Sequence, residues 1–415
     1  MFSTRFPVPR SLDPVTTYDP TSEVSPRDVG LDAEGIAVLW GRVQDIYRSG
    51  IHPAVSVCIR HRGQVVMDRA LGHAHGNGPG EEGVEKVLAT PQTPFCIFSA
   101  SKAITAMVIH LLDDRGVLHV DDPVAEYIPE FGSNGKKWVT IRHVLTHRAG
   151  IPSLGNRANE DLTRLFDWDS IVTELCEARP TSPPGRRLAY HAITGGFVLG
   201  EIVRRVTGRP IRRVLQDEVL DPLGFDLMNY GIARERLDEV ASSYFTGVPV
   251  TFPVSRVVRR ALGVSIARAV EVSNTPEWLT SVVPSGNIVS TANELCRFFE
   301  LLRCEGELDG VRVMDRRTIH RACAETSYLE MDFTLVMPVR YGVGLMLGSR
   351  WLSPYGPHTP RAFGHIGLTN VFGWADPQRD LSVALCTSGK PLLGRHFGPL
   401  FQWLRAVSDT FPRTR

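Results

Sequence analysis

Phe98-Ser99-Ala100-Ser101-Lys102 opens a long segment of apolar periodicity carried by Ile104, Met107, Val108, Leu111 and Leu112. The five residues set a hydroxyl and an amine three positions apart. On a helix, i and i+3 share a face, so the Ser99 Oγ and the Lys102 Nζ can meet. A hydroxyl beside a group able to take its proton is the minimum apparatus of nucleophilic acyl transfer. The pattern alone is cheap, since average composition yields about one Ser-x-x-Lys per chain of this length. Context has to select. A second copy, Ser133-Asn134-Gly135-Lys136, follows Gly132 and contains Asn-Gly, which marks a turn. A turn gives no shared helical face and no reason to bury the lysine. Lysine is also scarce: of 46 basic residues only Lys86, Lys102, Lys136, Lys137 and Lys390 are not arginine. Arginine cannot serve as a base near neutral pH. Lys102, among apolar neighbours near the positive end of a helix, is expected to have a lowered pKa. The competing reading is a surface lysine that snorkels to water beside a serine N-cap.

With 415 residues, the chain is long enough for two domains or one two-lobed domain, and an apolar fraction of 43% can fill a sizeable core. A net charge of +1 leaves no electrostatic footprint for nucleic acid. No apolar run approaches the length of a spanning helix, and the amino terminus has no apolar core of signal-peptide size. The expectation is a cytoplasmic protein, with peripheral envelope attachment left open. Seven cysteines without paired spacing read as buried free thiols rather than metal ligands or disulfides.

Helical spacing of Ile36, Leu39, Trp40, Val43, Ile46 and Tyr47 precedes two strand-like runs, 54–60 and 64–71, joined as a hairpin at His61-Arg62-Gly63. A solvated loop is expected over 72–83, His73 and His75 included. The Ser99 helix runs to Arg115 and closes at Gly116. Afterwards the texture is helical: Thr140 caps 141–147, Asp169 starts another segment, and 195–206 ends at Gly208. Alternation returns at 371–376 and 381–388, a second hairpin, and a helix around 397–407 follows. Strands near both ends with helices between them predict one sheet built from both termini around a helical insertion. The expected division is an irregular arm (1–28), an α/β sheet domain (29–116 and 285–411) and an inserted helical domain (117–284). Within 252–269, Val254, Val257, Val258, Leu262 and Ile266 form one helical stripe with arginines elsewhere. That pattern suits a packing helix, a lid over an apolar pocket, or a helix in peripheral contact with lipid.

Two further segments join Ser99 and Lys102. Leu188-Ala189-Tyr190-His191 lies on a short loop before a helix and can present its phenol to a site. Gly364-His365-Ile366-Gly367 leads into a strand-like run, where a backbone N–H just beyond it could face an oxyanion. In this order the chain resembles the serine β-lactamase and penicillin-binding-protein-like superfamily, above all its esterase branch. The likeness spans roughly 29–411 and takes in Leu145-Thr146-His147-Arg148-Ala149-Gly150-Ile151, Pro222-Leu223-Gly224, Pro284-Ser285-Gly286-Asn287 and Tyr341-Gly342-Val343-Gly344.

The resemblance implies a β-lactamase-like α+β fold, with an antiparallel sheet flanked by helices and the active site at the start of the Ser99 helix. It implies Ser99 as acylated nucleophile and Lys102 as general base, with Tyr190 shuttling the proton to the leaving group. The oxyanion hole would be the N–H groups of Ser99 and Leu368, with His365 and Gly367 beside the substrate. Either Lys102 or Tyr190 could be the base at this stage. No metal or organic cofactor is implied, and the expected partner is a small-molecule ester. Two departures from the β-lactamase pattern bear on substrate. Ala192 stands where that pattern has an amide residue, and His365 where it has a lysine. Both changes weaken binding of anionic amides without touching acyl transfer, which favours uncharged esters. An acyltransferase, or a β-lactamase or D-amino-acid peptidase of the same fold, is the alternative. A rival nucleophile, Ser265 in Gly263-Val264-Ser265-Ile266-Ala267, lacks the final glycine of a strand-to-helix elbow and follows an arginine-rich helical run.

Overall fold

In a computed structural model of the chain, residues 4–154 and 162–413 are described. Met1–Ser3 of the expected arm and 155–161 of the expected insertion lie outside them.

Strands β1 (Thr16–Tyr18), β2 (Ala54–His61) and β3 (Gln64–His75) come from the first part of the chain. The last part supplies β4 (Ser327–Asp332), β5 (Met337–Tyr341), β6 (Met346–Leu347), β7 (Phe363–Gly367), β8 (Val371–Asp376) and β9 (Leu381–Thr387). They form one antiparallel sheet in the order β1-β3-β2-β9-β8-β7-β6-β5-β4. The seam between the two ends of the chain is β2 against β9, with Val57 opposite Leu385 and Ile59 opposite Val383. The β2–β3 hairpin turns through Arg62 and Gly63, both at positive φ, the two-residue turn whose twist suits a hairpin.

Both faces of the central strands are covered, so they read as continuous apolar runs rather than clean alternation. Val55, Val57, Ile59, Val383 and Leu385 face a core shared with α1 (Ala33–Arg48) and α9 (Phe397–Thr410), where Trp374 meets Trp403 edge-on at 5.7 Å. The smaller Ala54, Cys58, Ala384 and Cys386 face the opposite side, where α2 (Ser101–Asp114) and α8 (Ala292–Arg303) pack. Small strand residues there let the helices approach closely: a side chain at Gly373 would lie 2.4 Å from the Phe299 ring. Every residue of α2 from Ser101 to Asp113 is buried between the sheet and the mid-chain helices. Those are α3 (Ile141–Leu145), α4 (Trp168–Glu177), α5 (Thr194–Thr207), α6 (Val254–Leu262) and α7 (Ile266–Ser273), with shorter turns.

Five local expectations change. Thr16–Tyr18, inside the expected irregular arm, pairs with β3. β3 runs on to His75 where a loop was expected, because Gly72 at φ 88° lets the strand kink and buried Ala74 keeps it on the core. The stripe over 252–269 is two helices, broken at Gly263, whose left-handed φ of 81° ends α6. The helix after Thr140 stops at Leu145, since His147 takes a positive φ of 58°. Asp167, not Asp169, caps α4. All seven cysteines are unpaired thiols, five of them buried.

Candidate active site

Ser99 sits in a 3₁₀ turn, Phe98–Ala100, that runs directly into α2. Phe98 holds a left-handed φ of 47°, which a bulky residue adopts only where packing over-determines it. Its ring is buried under the Lys390 Nζ at 4.9 Å. One turn into the helix, Lys102 is buried and its Nζ lies 3.2 Å from Ser99 Oγ. The same nitrogen donates to the carbonyls of Ala192 at 2.7 Å and Ser285 at 2.9 Å. No carboxylate touches it among the described residues. Burial without a counter-charge disfavours the ammonium, which brings the Lys102 pKa down to about 7.

Tyr190 is buried beside them and lines the same cavity as Ser99. Burial raises its phenol pKa above the ordinary value, so it stays protonated. Its ring lies under the Lys102 nitrogen at 4.9 Å. The loop carrying Tyr190 is fixed from two sides. Asp332 Oδ1, at the end of β4, accepts the Tyr190 N–H at 3.1 Å, together with those of Thr334 and Leu335. His147 accepts the Ala189 N–H on its carbonyl at 3.0 Å and the His191 N–H on its Nδ1 at 3.2 Å. Its ring packs on Tyr190 with centroids 4.7 Å apart.

The end of β7 meets the Ser99 turn backbone to backbone. A side chain at Gly367 would lie 2.1 Å from the Ile97 carbonyl, so only glycine permits this approach. Leu368 follows and shares a cavity with Ser99, Tyr190 and His365. His365 is buried, its Nδ1 donating to the Ile366 carbonyl at 2.8 Å. Burial, with Lys102 nearby, drives its pKa to about 3, leaving a neutral imidazole with a bare Nε2. The cavity holds about 600 Å³, and apolar side chains such as Leu262, Trp278, Leu335 and Phe372 dominate its wall.

The candidate residues of the sequence reading therefore gather in one place: Ser99, Tyr190, His365, Gly367 and Leu368 line a single apolar cavity, and Lys102 lies behind Ser99, in hydrogen-bond reach of its hydroxyl. The surface-lysine reading of Lys102 fails on its burial. Lys136 of the second Ser-x-x-Lys is buried too, contrary to expectation. Three carbonyls, of Ser133, Cys176 and Ala178, hold it inside the turn. Its partner Ser133 donates to the Cys176 carbonyl at 2.7 Å and not to the lysine. Ser265 is the N-cap of α7, accepting from Arg268 N at 3.2 Å. Ser285, His147 and Asp332 carried no assigned role in the sequence. For the first two, the phrases that contain them were a usable signal.

An antiparallel sheet made by both chain ends, with a Ser–Lys–Tyr cluster where it meets the helical layer, is the architecture of β-lactamase and penicillin-binding-protein-like proteins. The Beta-lactamase family model matches residues 42–403, and the chain belongs to that family. It is 32% identical over 303 residues to the Esterase/beta-lactamase LipL of Mycobacterium tuberculosis, covering 70% of this chain and 68% of that one. A penicillin-binding protein homologue from Caulobacter crescentus superposes with a TM-score of 0.77 at 27% identity, over 92% of this chain and 99% of its own. A family VIII carboxylesterase has the same fold, with a TM-score of 0.75 at 24% identity, covering 90% and 98% of the two chains. Such neighbours place the chain beside the esterase branch.

Proposed function

We infer that the protein is a serine hydrolase that cleaves uncharged carboxylic esters through an acyl-enzyme on Ser99. The observation that carries this is a buried lysine without a counter-ion, 3.2 Å from a serine hydroxyl at the wall of an apolar cavity. With a pKa of about 7, Lys102 is substantially neutral at physiological pH. A neutral amine has two N–H groups and one lone pair. The two carbonyls take the N–H groups, which leaves the lone pair for the Ser99 hydroxyl. Ser99 Oγ attacks the ester carbonyl carbon as its proton passes to Lys102. The C–O bond to the leaving alkoxide then breaks, and Tyr190 relays the Lys102 proton to it. Water, deprotonated by the same pair, releases the acid. Tyr190 suits a relay better than a base because burial keeps its phenol protonated. The backbone N–H groups of Ser99 and Leu368 serve the oxyanion; losing one such donor typically costs about 10²–10³-fold in rate.

The name of the mycobacterial relative raises β-lactamase activity as a second reading. A neutral His365 and the methyl of Ala192 weigh against it, since neither can anchor the carboxylate or acylamino group of a β-lactam. The test is p-nitrophenyl butyrate hydrolysis with intact-mass detection of the acyl-enzyme. Ser99→Ala should lose on the order of 10³-fold or more in kcat and form no adduct with a fluorophosphonate. Full activity in Ser99→Ala would remove the assignment.

A further inference from the structure

The mouth of the cavity is unusually apolar for a surface that meets water. Met337, Leu352 and Phe397 line the cavity and are about half exposed, at 48%, 57% and 50%. Beside them in sequence, Phe333, Val336, Trp351 and Leu393 are exposed as well. Met337 opens β5, Leu352 follows β6 and Phe397 opens α9, so three separate parts of the fold converge on one cavity. Single exposed apolar side chains are ordinary, whereas a convergent rim marks a contact surface.

The C-terminal end of α6 reaches the same cavity. Ala261 and Leu262 line the cavity, yet no residue of this helix is buried. At 100° per residue, Val254, Val257, Val258, Ala261 and Leu262 share one face, and Arg256, Arg259 and Arg260 occupy the opposite one. Phe252, just before the helix, is 77% exposed. The three arginines are exposed and form no ion pair among the described residues, whereas Arg268 on α7 pairs with Glu271 at 2.6 Å. Among the described residues, no helix is long and apolar enough to cross a membrane. A half-covered apolar stripe backed by unpaired cations is the pattern of a helix that lies in a lipid–water interface.

We propose that α6 and the apolar rim form a docking surface for an anionic lipid bilayer, from which ester substrate enters the cavity. The arginines meet the lipid phosphates. Phe252, Trp351, Leu352 and Phe397 reach the acyl layer, and α6 swings on Gly263 to lay its stripe on the lipid. Docking itself does not depend on the ester reading; only the substrate does.

Co-sedimentation of the Ser99→Ala protein with phosphatidylglycerol vesicles, and with phosphatidylcholine vesicles beside them, tests this without turnover. Binding to the anionic vesicles is expected, weakened by 0.5 M salt. Arg256→Gln/Arg259→Gln/Arg260→Gln should weaken it on the order of a hundredfold, three basic contacts at about fivefold each. Phe252→Ser/Trp351→Ser should weaken it with the charges intact. In the Ser99 background the triple variant should hydrolyse soluble p-nitrophenyl acetate as the parent does, and lose about tenfold on p-nitrophenyl decanoate held in phosphatidylglycerol vesicles. No vesicle binding at low salt, or equal binding by the triple variant, overturns the proposal. So does capture by immobilised polyglutamate with no vesicle binding, which would assign the arginines to an acidic protein. If ester hydrolysis fails while vesicle binding persists, the docking surface stands and the esterase reading falls.

Discussion

At the scale of single residues, what distinguishes Lys102 from Lys136 is the direction of a hydroxyl rather than burial. Both amines are buried, both follow a serine by three positions, and both donate to carbonyls. Only Ser99 is free to point its proton at the lysine, because Ser133 spends its own on a backbone oxygen. The spacing and the apolar neighbours of Lys102 were readable in the sequence; the burial of Lys136 was not, because a turn that folds three carbonyls around an ammonium leaves no periodic trace. The Lys102 assignment makes a signed pH prediction. The base must be neutral, so kcat/KM for p-nitrophenyl butyrate should rise with pH through an apparent pKa near about 7 and level off above it. Lys102→Met keeps the volume and removes the lone pair. It should lower kcat about 10²–10⁴-fold and abolish that limb in a stopped-flow or steady-state profile. A limb that survives in Lys102→Met would assign the titration to another group.

Elements meet here through main chain where side chains would obstruct. The end of β7 reaches the turn before α2 only because Gly367 has no Cβ to strike the Ile97 carbonyl. Gly367→Ala must therefore separate the Leu368 N–H from the Ser99 turn, although its backbone φ needs no glycine. The expected result is a loss of at least about tenfold in kcat with little change in KM, and a destabilisation of about 1–3 kcal/mol in urea titration. Unchanged kcat would show that the β7 end does not set the site. Both hairpins were legible as short apolar runs joined at turn residues, and α1, α2 and α9 as local patterns of period 3.6. The clamp that Asp332 places on the Tyr190 N–H joins residues 142 positions apart, and no local pattern announces such a pairing. The break between α6 and α7 escaped for a different reason: Ile266 continues the stripe, and one left-handed glycine overrides it.

The molecule as a whole closes its sheet with strands from both ends of the chain, which leaves the helical middle to roof the cavity. That topology was readable from strand-like runs flanking a helical texture, and the family's ordered phrases sharpened it. Cavity depth was not readable, because Leu262, Leu335, Leu352 and Phe397 come from four distant segments that only the fold brings together. Depth decides substrate. Each buried methylene is worth about 0.8 kcal/mol, roughly fourfold in kcat/KM, for as long as the wall can cover it. A cavity of about 600 Å³ with apolar walls lies within the range that encloses drug-sized ligands. Across p-nitrophenyl acetate, butyrate, hexanoate and octanoate, kcat/KM should therefore climb, mostly through KM, below the critical micelle concentration of each ester. Nitrocefin should fall on the order of 10²-fold below hexanoate, about what two hydrogen bonds to charged or amide groups supply and this site lacks. A maximum at acetate would mean that the cavity is closed to acyl chains in solution. Nitrocefin turnover matching hexanoate would mean that neutral His365 and Ala192 do not restrain amide substrates.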